Sequence, residues 1–437
     1  MKKHSFQEFT LKPELLQIIE KLQFKTPTEI QAKVIPAAMK RKSIIGQSQT
    51  GSGKTHAYLI PLFNQLREDV KGVQFVITAP TRELAMQIHE EVKKMLRLAQ
   101  KEKEITAKLL IGGTDKQRMM DKLKETPQII VGTPGRILDM VKQEALSIFS
   151  ASAFVIDEAD LMLDLGFINE VDQLLIRCKS DVQLLVFSAT IPEKLAHFFK
   201  KYLENPLHVK VKQELSPETM EHRLIPVRHR NEIDVLMQIT TVIQPYLAII
   251  FTNGKEEADK LYAALNERGL NVGLLHGGLT PRERKRVLKD IQSLRFQYIV
   301  ATDLASRGID IKGVSHVINA QLPKDENFYI HRVGRTARAG MEGTAISLYQ
   351  EDDIRLIDKL EQKGLPFIFT DIADGEWREA KHWNKRNLRP KTSSNAETEA
   401  WKHVRKNKKV KPGYKKKMKQ EQEKIKKNLI RKEKRGR

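Results

Sequence analysis

Cysteine occurs once in 437 residues, at Cys178. A single thiol excludes an internal disulfide framework and suits a reducing compartment. Its plain reading is a small buried apolar residue. With one cysteine and 12 histidines, no ligand-spaced cluster is visible, and no structural zinc is expected. Long apolar runs are missing as well. No stretch approaches about 18 uncharged apolar residues, so no membrane-spanning helix is expected. Lys2 and Lys3 run into polar and acidic residues rather than an apolar segment, which argues against a secretory leader and leaves the cytoplasm as the expected location. Acids are scarce beside bases: 55 Asp and Glu against 77 Lys and Arg leave a formal charge of +22. That imbalance points to a polyanionic partner, nucleic acid ahead of an anionic membrane surface.

What is present is ample for folding. Hydrophobic residues make up 40% and charged residues 30%, enough for ordinary cores under a charged surface, and the length suits two or three domains. Short apolar runs alternate with helical patterns. "KSIIGQ", "VQFVITAP", "AKLLIGG", "QIIVGTPG", "AFVIDEAD" and "QLLVFSAT" read as strands that run into a turn, and segments such as "TRELAMQIHEEVKKMLRLA" read as amphipathic helices between them. This alternation predicts a parallel sheet covered on both faces, with the polar and Gly-rich residues at its carboxyl edge, where open α/β sheets bind ligands. The pattern breaks at the polar "KVKQELSPETM" and then restarts with "HRLIPVR", "LAIIFTN", "NVGLLHGG", "FQYIVATD", "SHVINAQ" and "GTAISLYQ". We therefore expect two α/β domains, residues 1–210 and 218–372, joined by a linker at 211–217. From residue 373 lysine dominates. Residues 371–437 hold 24 Lys and Arg against 9 Asp and Glu, a net +15 of the total +22. Such a segment is expected to be disordered in isolation, and a solubilising role is the alternative to nucleic-acid binding.

Three constellations carry chemistry. "SQTGSGKT" follows an apolar strand and precedes a helical run, the context a phosphate loop requires. Backbone N–H groups of Gly51, Ser52 and Gly53 can wrap phosphate oxygens at a helix N-terminus, with Lys54 reaching the β- and γ-phosphates and Thr55 binding Mg²⁺. The strict pattern has glycine where this chain has Ser48. "VIDEAD" places Asp157 and Glu158 after a strand. An acidic pair there often caps a helix, but downstream of a phosphate loop Asp157 is positioned to hold Mg²⁺ and Glu158 to act as base toward a water. "HRVGRTARAG" concentrates His331, Arg335 and Arg338. Arginines there can offset the charge that phosphoryl transfer spreads over the γ-phosphate oxygens. A solvated basic helix face is the competing reading.

The ordered series "FKTPTEIQ", "SQTGSGKT", "APTREL", "IGG", "TPGR", "DEAD", "SAT", "FTN", "HGGL", "ATDLASRGID" and "HRVGRTAR" resembles the DEAD-box ATP-dependent RNA helicases over residues 6–372. Within that family, "IGGTDKQ", "LHGGLTPRER" and the tail "KKVKPGYKKKM" are similar to the cold-shock-associated helicases of Gram-positive bacteria. The resemblance implies two tandem RecA-like domains and ATP hydrolysis with Mg²⁺, coupled to RNA binding and local, non-processive duplex unwinding or RNA–protein remodelling. It implies single-stranded and duplex RNA as partners, cold adaptation, ribosome assembly or RNA decay as setting, ribosomal or RNA-decay proteins as further partners, and no membrane.

Residue by residue, it implies an adenine-reading motif at about 4–32. There Gln31 offers one donor and one acceptor to the base, and Phe24, with Phe6, packs on it. Ser48, Gln49 and Thr50 would complete the nucleotide loop, and Asp310 would touch the ribose. Ser188 and Thr190 would link Asp160 to His331 across the cleft. Pro80, Thr81, Arg82, Gly113, Thr133 and Arg136 in the first domain, with Gly277, Arg284 and Thr302 in the second, would line an RNA track that grips phosphate and sugar rather than base edges. Two positions depart from the family pattern. Pro281 replaces a glutamine three residues before Arg284, and Ala337 replaces a glycine, a change expected to be mild. In the tail, Trp377, Trp383, Trp401 and Tyr414 are candidates for base stacking. Two rival readings remain: an RNA chaperone that works through its tail, and a DNA translocase.

Overall fold

A computed structural model describes residues 5–49, 51–113, 115–211, 219–303, 311, 313–337, 342–381, 420 and 423–425. The first sheet holds β1 (Ile44–Gln47), β2 (Phe75–Thr78), β3 (Ala107–Leu110), β4 (Ile129–Gly132), β5 (Ala153–Ile156), β6 (Gln183–Ser188) and β7 (Leu207–Lys210). They run in the order β3-β4-β2-β5-β6-β1-β7, each neighbouring pair parallel. The first six runs read as strands in the sequence are β1 to β6. β2, β4, β5 and β6 are buried at each residue, because helices cover both faces and solvent reaches neither. Successive residues feed opposite cores. Ile44, Phe75, Ile77, Val155, Leu185 and Phe187 pack on one side; Ile45, Val76, Phe154, Ile156, Leu184 and Val186 pack on the other. Each such side chain contributes roughly 1.5–3 kcal/mol by leaving water.

The second sheet holds β8 (Met220–Pro226), β9 (Ala248–Thr252), β10 (Val272–Leu275), β11 (Tyr298–Thr302), β12 (His316–Asn319), β13 (Gly343–Tyr349), β14 (Phe367–Ala373) and β15 (Glu376–Glu379). Its order is β10-β11-β9-β12-β13-β8-β14-β15, with parallel pairing from β10 through β8. The chain divides into one compact unit, Met1–Ile368 with Ile372–Trp377, which contains β1 to β13, and a second, Phe369–Asp371 with Arg378–Arg437. Among the described residues no helix is long and apolar enough to cross a membrane.

Register decides what meets at the carboxyl edges. Gln47 lies opposite Ser188, and Ile156 lies opposite Val186. The segments after β1, β5 and β6 therefore start side by side. In the second sheet Thr302 lies opposite Thr252 and Asn319 opposite Phe251, so Asn253, Asp303 and Gln321 emerge together.

Candidate active site

After β1, Gly51–Gly53 lead into the helix Lys54–Gln65. Gly51 and Gly53 take φ of 82° and 92°, left-handed values that cost glycine little. The unpaired N–H groups of the first helical turn come directly after Gly53. Lys54 is buried, and its Nζ donates to the Ser48 carbonyl at 2.9 Å. Ser48 is buried too, with its hydroxyl 2.8 Å from that of Ser52. Ser52 in turn donates to the Gln49 carbonyl at 2.8 Å. The residue that departs from the strict loop pattern thus ties the loop to itself.

β5 delivers the acids. Asp157 accepts from the Tyr58 hydroxyl through Oδ2 at 2.9 Å and from the Glu158 N–H through Oδ1 at 2.9 Å. Glu158 stands in the left-handed region, φ 49° and ψ 55°. Burial pushes both carboxyl groups above their ordinary range, against the lowering effect of the Lys54 charge. Asp160 behaves differently. Its own burial raises it, but the charges of His331 and Lys54 and hydrogen bonds from Thr190 and Ser188 outweigh that and hold it low. The Thr190 N–H and hydroxyl donate to its Oδ2 at 2.9 and 3.0 Å, and its own N–H donates to Ser188 Oγ at 3.0 Å. Ser188, Thr190 and Asp160 are thus one hydrogen-bonded group, and His331 reaches it through charge.

The segment that carries the second sheet contributes to the same cavity. A cavity of about 660 Å³ is lined by Lys54, Thr55, Asp157 and Glu158 and also by Arg335. Arg335 is buried and its charge lowers the Glu158 carboxyl. It follows the helix Glu326–Val333, and among the described arginines of "HRVGRTARAG" it is the one that lines this cavity.

Arg332, one position after His331, has another role, which the sequence reading missed. It is 1% exposed. Its Nε and Nη2 donate to both oxygens of Asp303 at 2.6 and 2.7 Å. Nη1 donates to the Asn319 side chain at 3.2 Å and to the Gln321 carbonyl at 2.6 Å, and Nη2 donates to Asn253 at 2.8 Å. Its guanidinium also lies 5.2 Å from the centre of the Phe251 ring. It ties together the ends of β9, β11 and β12. The signal was present in "FTN" and "ATD", whose polar residues end strands that are otherwise apolar.

The residues expected to read adenine are built into the scaffold. Gln31 is buried at the start of the helix Glu29–Met39, where its Oε1 accepts from the Thr28 N–H at 3.0 Å and its Nε2 donates to the Gly53 carbonyl at 3.1 Å. A primary amide has a second hydrogen and a second lone pair, so one donor and one acceptor remain for a base. Phe24 is half-buried and meets His56 edge-on, ring centres 4.7 Å apart. Phe6 does not fit the expectation of packing on a base. It is buried in the apolar core with Phe9 against its ring, since the Ser5 cap turns it inward.

The expected RNA track is distributed along the sheet edges. Pro80 is buried, and Thr81 caps the helix Arg82–Leu98. The Arg82 guanidinium lies against Gly112, where a Cβ would meet it at 2.9 Å. Gly113 and Gly277 are exposed, and Thr302 is buried at the end of β11. Thr133 stands at the N-cap position of the helix Pro134–Lys142 without a side-chain cap bond, and Arg136 on that helix reaches Asp139 at 3.4 Å. Arg284 forms an ion pair with Glu83, both side chains largely buried. The pair joins the helix Pro281–Gln292 to the helix Arg82–Leu98, and Glu83 was not singled out in the sequence. Pro281 opens the helix Pro281–Gln292, whose Thr280 and Glu283 form a capping box, as its position suggests. Ala337 takes φ 53°, so alanine at that position carries a backbone cost of about 1 kcal/mol relative to glycine. Trp377 is half-buried, and the Arg223 guanidinium lies over one face of its ring at 4.3 Å. Thr50, Asp310, Arg338, Trp383, Trp401 and Tyr414 lie outside the described residues.

A family model described as DEAD/DEAH box helicase matches residues 28–198, and one described as helicase conserved C-terminal domain matches residues 231–340. The chain is 52% identical to the DEAD-box ATP-dependent RNA helicase CshB of Bacillus subtilis over 98% of each chain. It is 48% identical to CshB of Listeria monocytogenes over 99% of each. Among solved structures, Dbp5 of S. cerevisiae bound to RNA and ADP BeF3 is similar at 30% identity and a TM-score of 0.75, covering 84% of this chain and 95% of that one.

Proposed function

The chain belongs to the DEAD-box ATP-dependent RNA helicases, RNA-stimulated ATPases, and from that premise we propose how its residues perform the reaction and where it acts. Residues 1–210 and 218–372 are the two moving domains, joined at 211–217, and the basic segment from 373 anchors RNA. Lys54 and the N–H groups of Gly51–Gly53 bind the phosphates of ATP. Thr55 and Asp157 fit Mg²⁺: both present oxygen, and each Asp157 oxygen holds one hydrogen bond and keeps a lone pair. Bound there, Mg²⁺ neutralises charge on the phosphate oxygens. Glu158 takes the proton of the attacking water, and a carboxyl raised by burial is the better base. Arg335 and Arg338 offset the charge that develops on the γ-phosphate. Gln31 and Phe24 select adenine, and Asp310 touches the ribose.

RNA lies along Pro80–Arg82, Gly113, Thr133 and Arg136, and continues over Gly277, Arg284 and Thr302. ATP and RNA both favour the closed arrangement, so each tightens the other's binding by the same factor. Closure around one strand opens a duplex locally, and hydrolysis releases it. The setting is cytoplasmic, in cold adaptation, ribosome assembly or RNA decay, with ribosomal or RNA-decay proteins as partners.

The observation that carries this reading is that Arg335 of the second lobe lines the same cavity as Lys54, Asp157 and Glu158 of the first. Glu158→Gln tests it. The amide cannot accept the water's proton, so ATP and RNA binding should persist while turnover stops. Near-normal RNA-stimulated hydrolysis by this variant would exclude Glu158 as the base.

A further inference from the structure

Tyr58 belongs to none of the roles above. It sits three residues after Thr55 on the helix Lys54–Gln65, one helical turn on, so both side chains share a face. It is completely buried. Its ring lies against Phe187 of β6, centres 5.2 Å apart and tilted by 48°. Phe187 in turn fills the space above Gly46 of β1, where a Cβ would come within 2.8 Å of it. Helix and sheet therefore hold the phenol rigidly, and its oxygen occupies one place.

That place is beside one of the residues assigned to the cation. The Tyr58 hydroxyl donates to Asp157 Oδ2 at 2.9 Å. The second Asp157 oxygen is fixed by the Glu158 N–H. A carboxylate held at both oxygens cannot rotate about its Cβ–Cγ bond. Mg²⁺ demands near-octahedral geometry at short distances, so the orientation of its few protein oxygens controls how well it binds.

We propose that Tyr58 is a positioning residue for the nucleotide's divalent cation, holding the Asp157 carboxylate in one orientation through its buried hydroxyl. The inference rests on the reading that Thr55 and Asp157 hold the cation. Partners that orient metal ligands are worth about 10–100-fold in affinity when removed. The phenol moves no proton; it only fixes where the ligand oxygens stand.

The test is Tyr58→Phe in the full chain, which removes one oxygen and keeps the ring. Mn²⁺ binding in the presence of ADP is titrated by electron paramagnetic resonance, ADP binding is measured in EDTA, and thermal melting is followed without either. The expected result is Mn²⁺ affinity about tenfold weaker, with ADP affinity in EDTA unchanged and the melt within a few degrees of the wild type. Mn²⁺ affinity within twofold of wild type would overturn the proposal. So would a variant that melts below the assay temperature, since Tyr58 would then be a structural anchor. Asp157→Asn is the control for the underlying reading. If it too leaves Mn²⁺ binding unchanged, the assignment of the cation to Asp157 fails; if it weakens Mn²⁺ binding and Tyr58→Phe does not, the role of Tyr58 alone fails.

Discussion

Replacing Arg332 by methionine should destabilise the second sheet. The guanidinium is 1% exposed and makes five hydrogen bonds, two of them to the carboxylate of Asp303. Methionine fills part of the volume and leaves Asp303, itself largely buried, without its counter-charge. Removing one member of a buried ion pair costs about 3–5 kcal/mol, because the remaining charge stays desolvated. Each kcal/mol moves the melting temperature of a unit of this size by roughly 2–4 °C, so a fall of about 6–20 °C is expected. Differential scanning calorimetry of the full chain measures it. Arg332→Lys keeps the charge but lacks the planar fork, and should recover only part of the loss. Arg332→Met with Asp303→Asn should be less destabilised than the single substitutions sum to, by about 0.5–3 kcal/mol. A methionine variant melting within about 2 °C of wild type would refute the claim that this arginine joins the strand ends.

Four further outcomes are expected. The Glu158→Gln chain should melt higher than wild type at neutral pH, because the folded state raises the Glu158 carboxyl by burial and so loses stability as pH rises above the ordinary value of 4.5; the gain should fade as pH falls toward that value, and a gain independent of pH would reject the burial cost. Arg335→Ala should lower kcat about a thousandfold while ATP binding stays within a few-fold, and the isolated first lobe should hydrolyse ATP as poorly at saturating RNA. Gln31→Ala should weaken discrimination of ATP from GTP and UTP and cost about 1 kcal/mol of stability through the lost cap; hydrolysis rates for four nucleotides and a denaturant melt check both. Deleting residues 382–437 should leave the maximal RNA-stimulated rate nearly intact and raise the RNA concentration for half-maximal stimulation, most at low salt; equal salt slopes for both chains would make the segment a solubilising or protein-binding one.

The sequence was most readable where a residue's environment follows from its neighbours in the chain. The buried strands announce themselves as Val/Ile/Leu runs, and the loops after β1 and β5 carry their chemistry in consecutive residues. It was least readable where two distant polar groups satisfy each other. Arg332 looks like a solvated arginine until Asn253, Asp303 and Asn319 are brought to it by the strand register. Arg284 reads as an RNA contact, and its pairing with Glu83, some 200 positions earlier, shows only in the structure. Edge strands were missed for a related reason. β7 is exposed at three of its four residues, and β15 at three of four, so neither shows the continuous apolar run of a central strand. β14 and β15 also carry the second sheet beyond residue 372 to Glu379.

The left-handed backbone at Glu158 has a consequence for how this position can change over generations. A side chain with a Cβ costs about 1–2 kcal/mol in that conformation, while glycine, and to a lesser extent asparagine, adopts it readily. Substitutions to these residues would abolish the carboxylate and relax the chain at once. Selection for thermal robustness alone would therefore drift toward an inert protein that folds better than its ancestor, and glutamate would be retained here only where turnover is itself under selection.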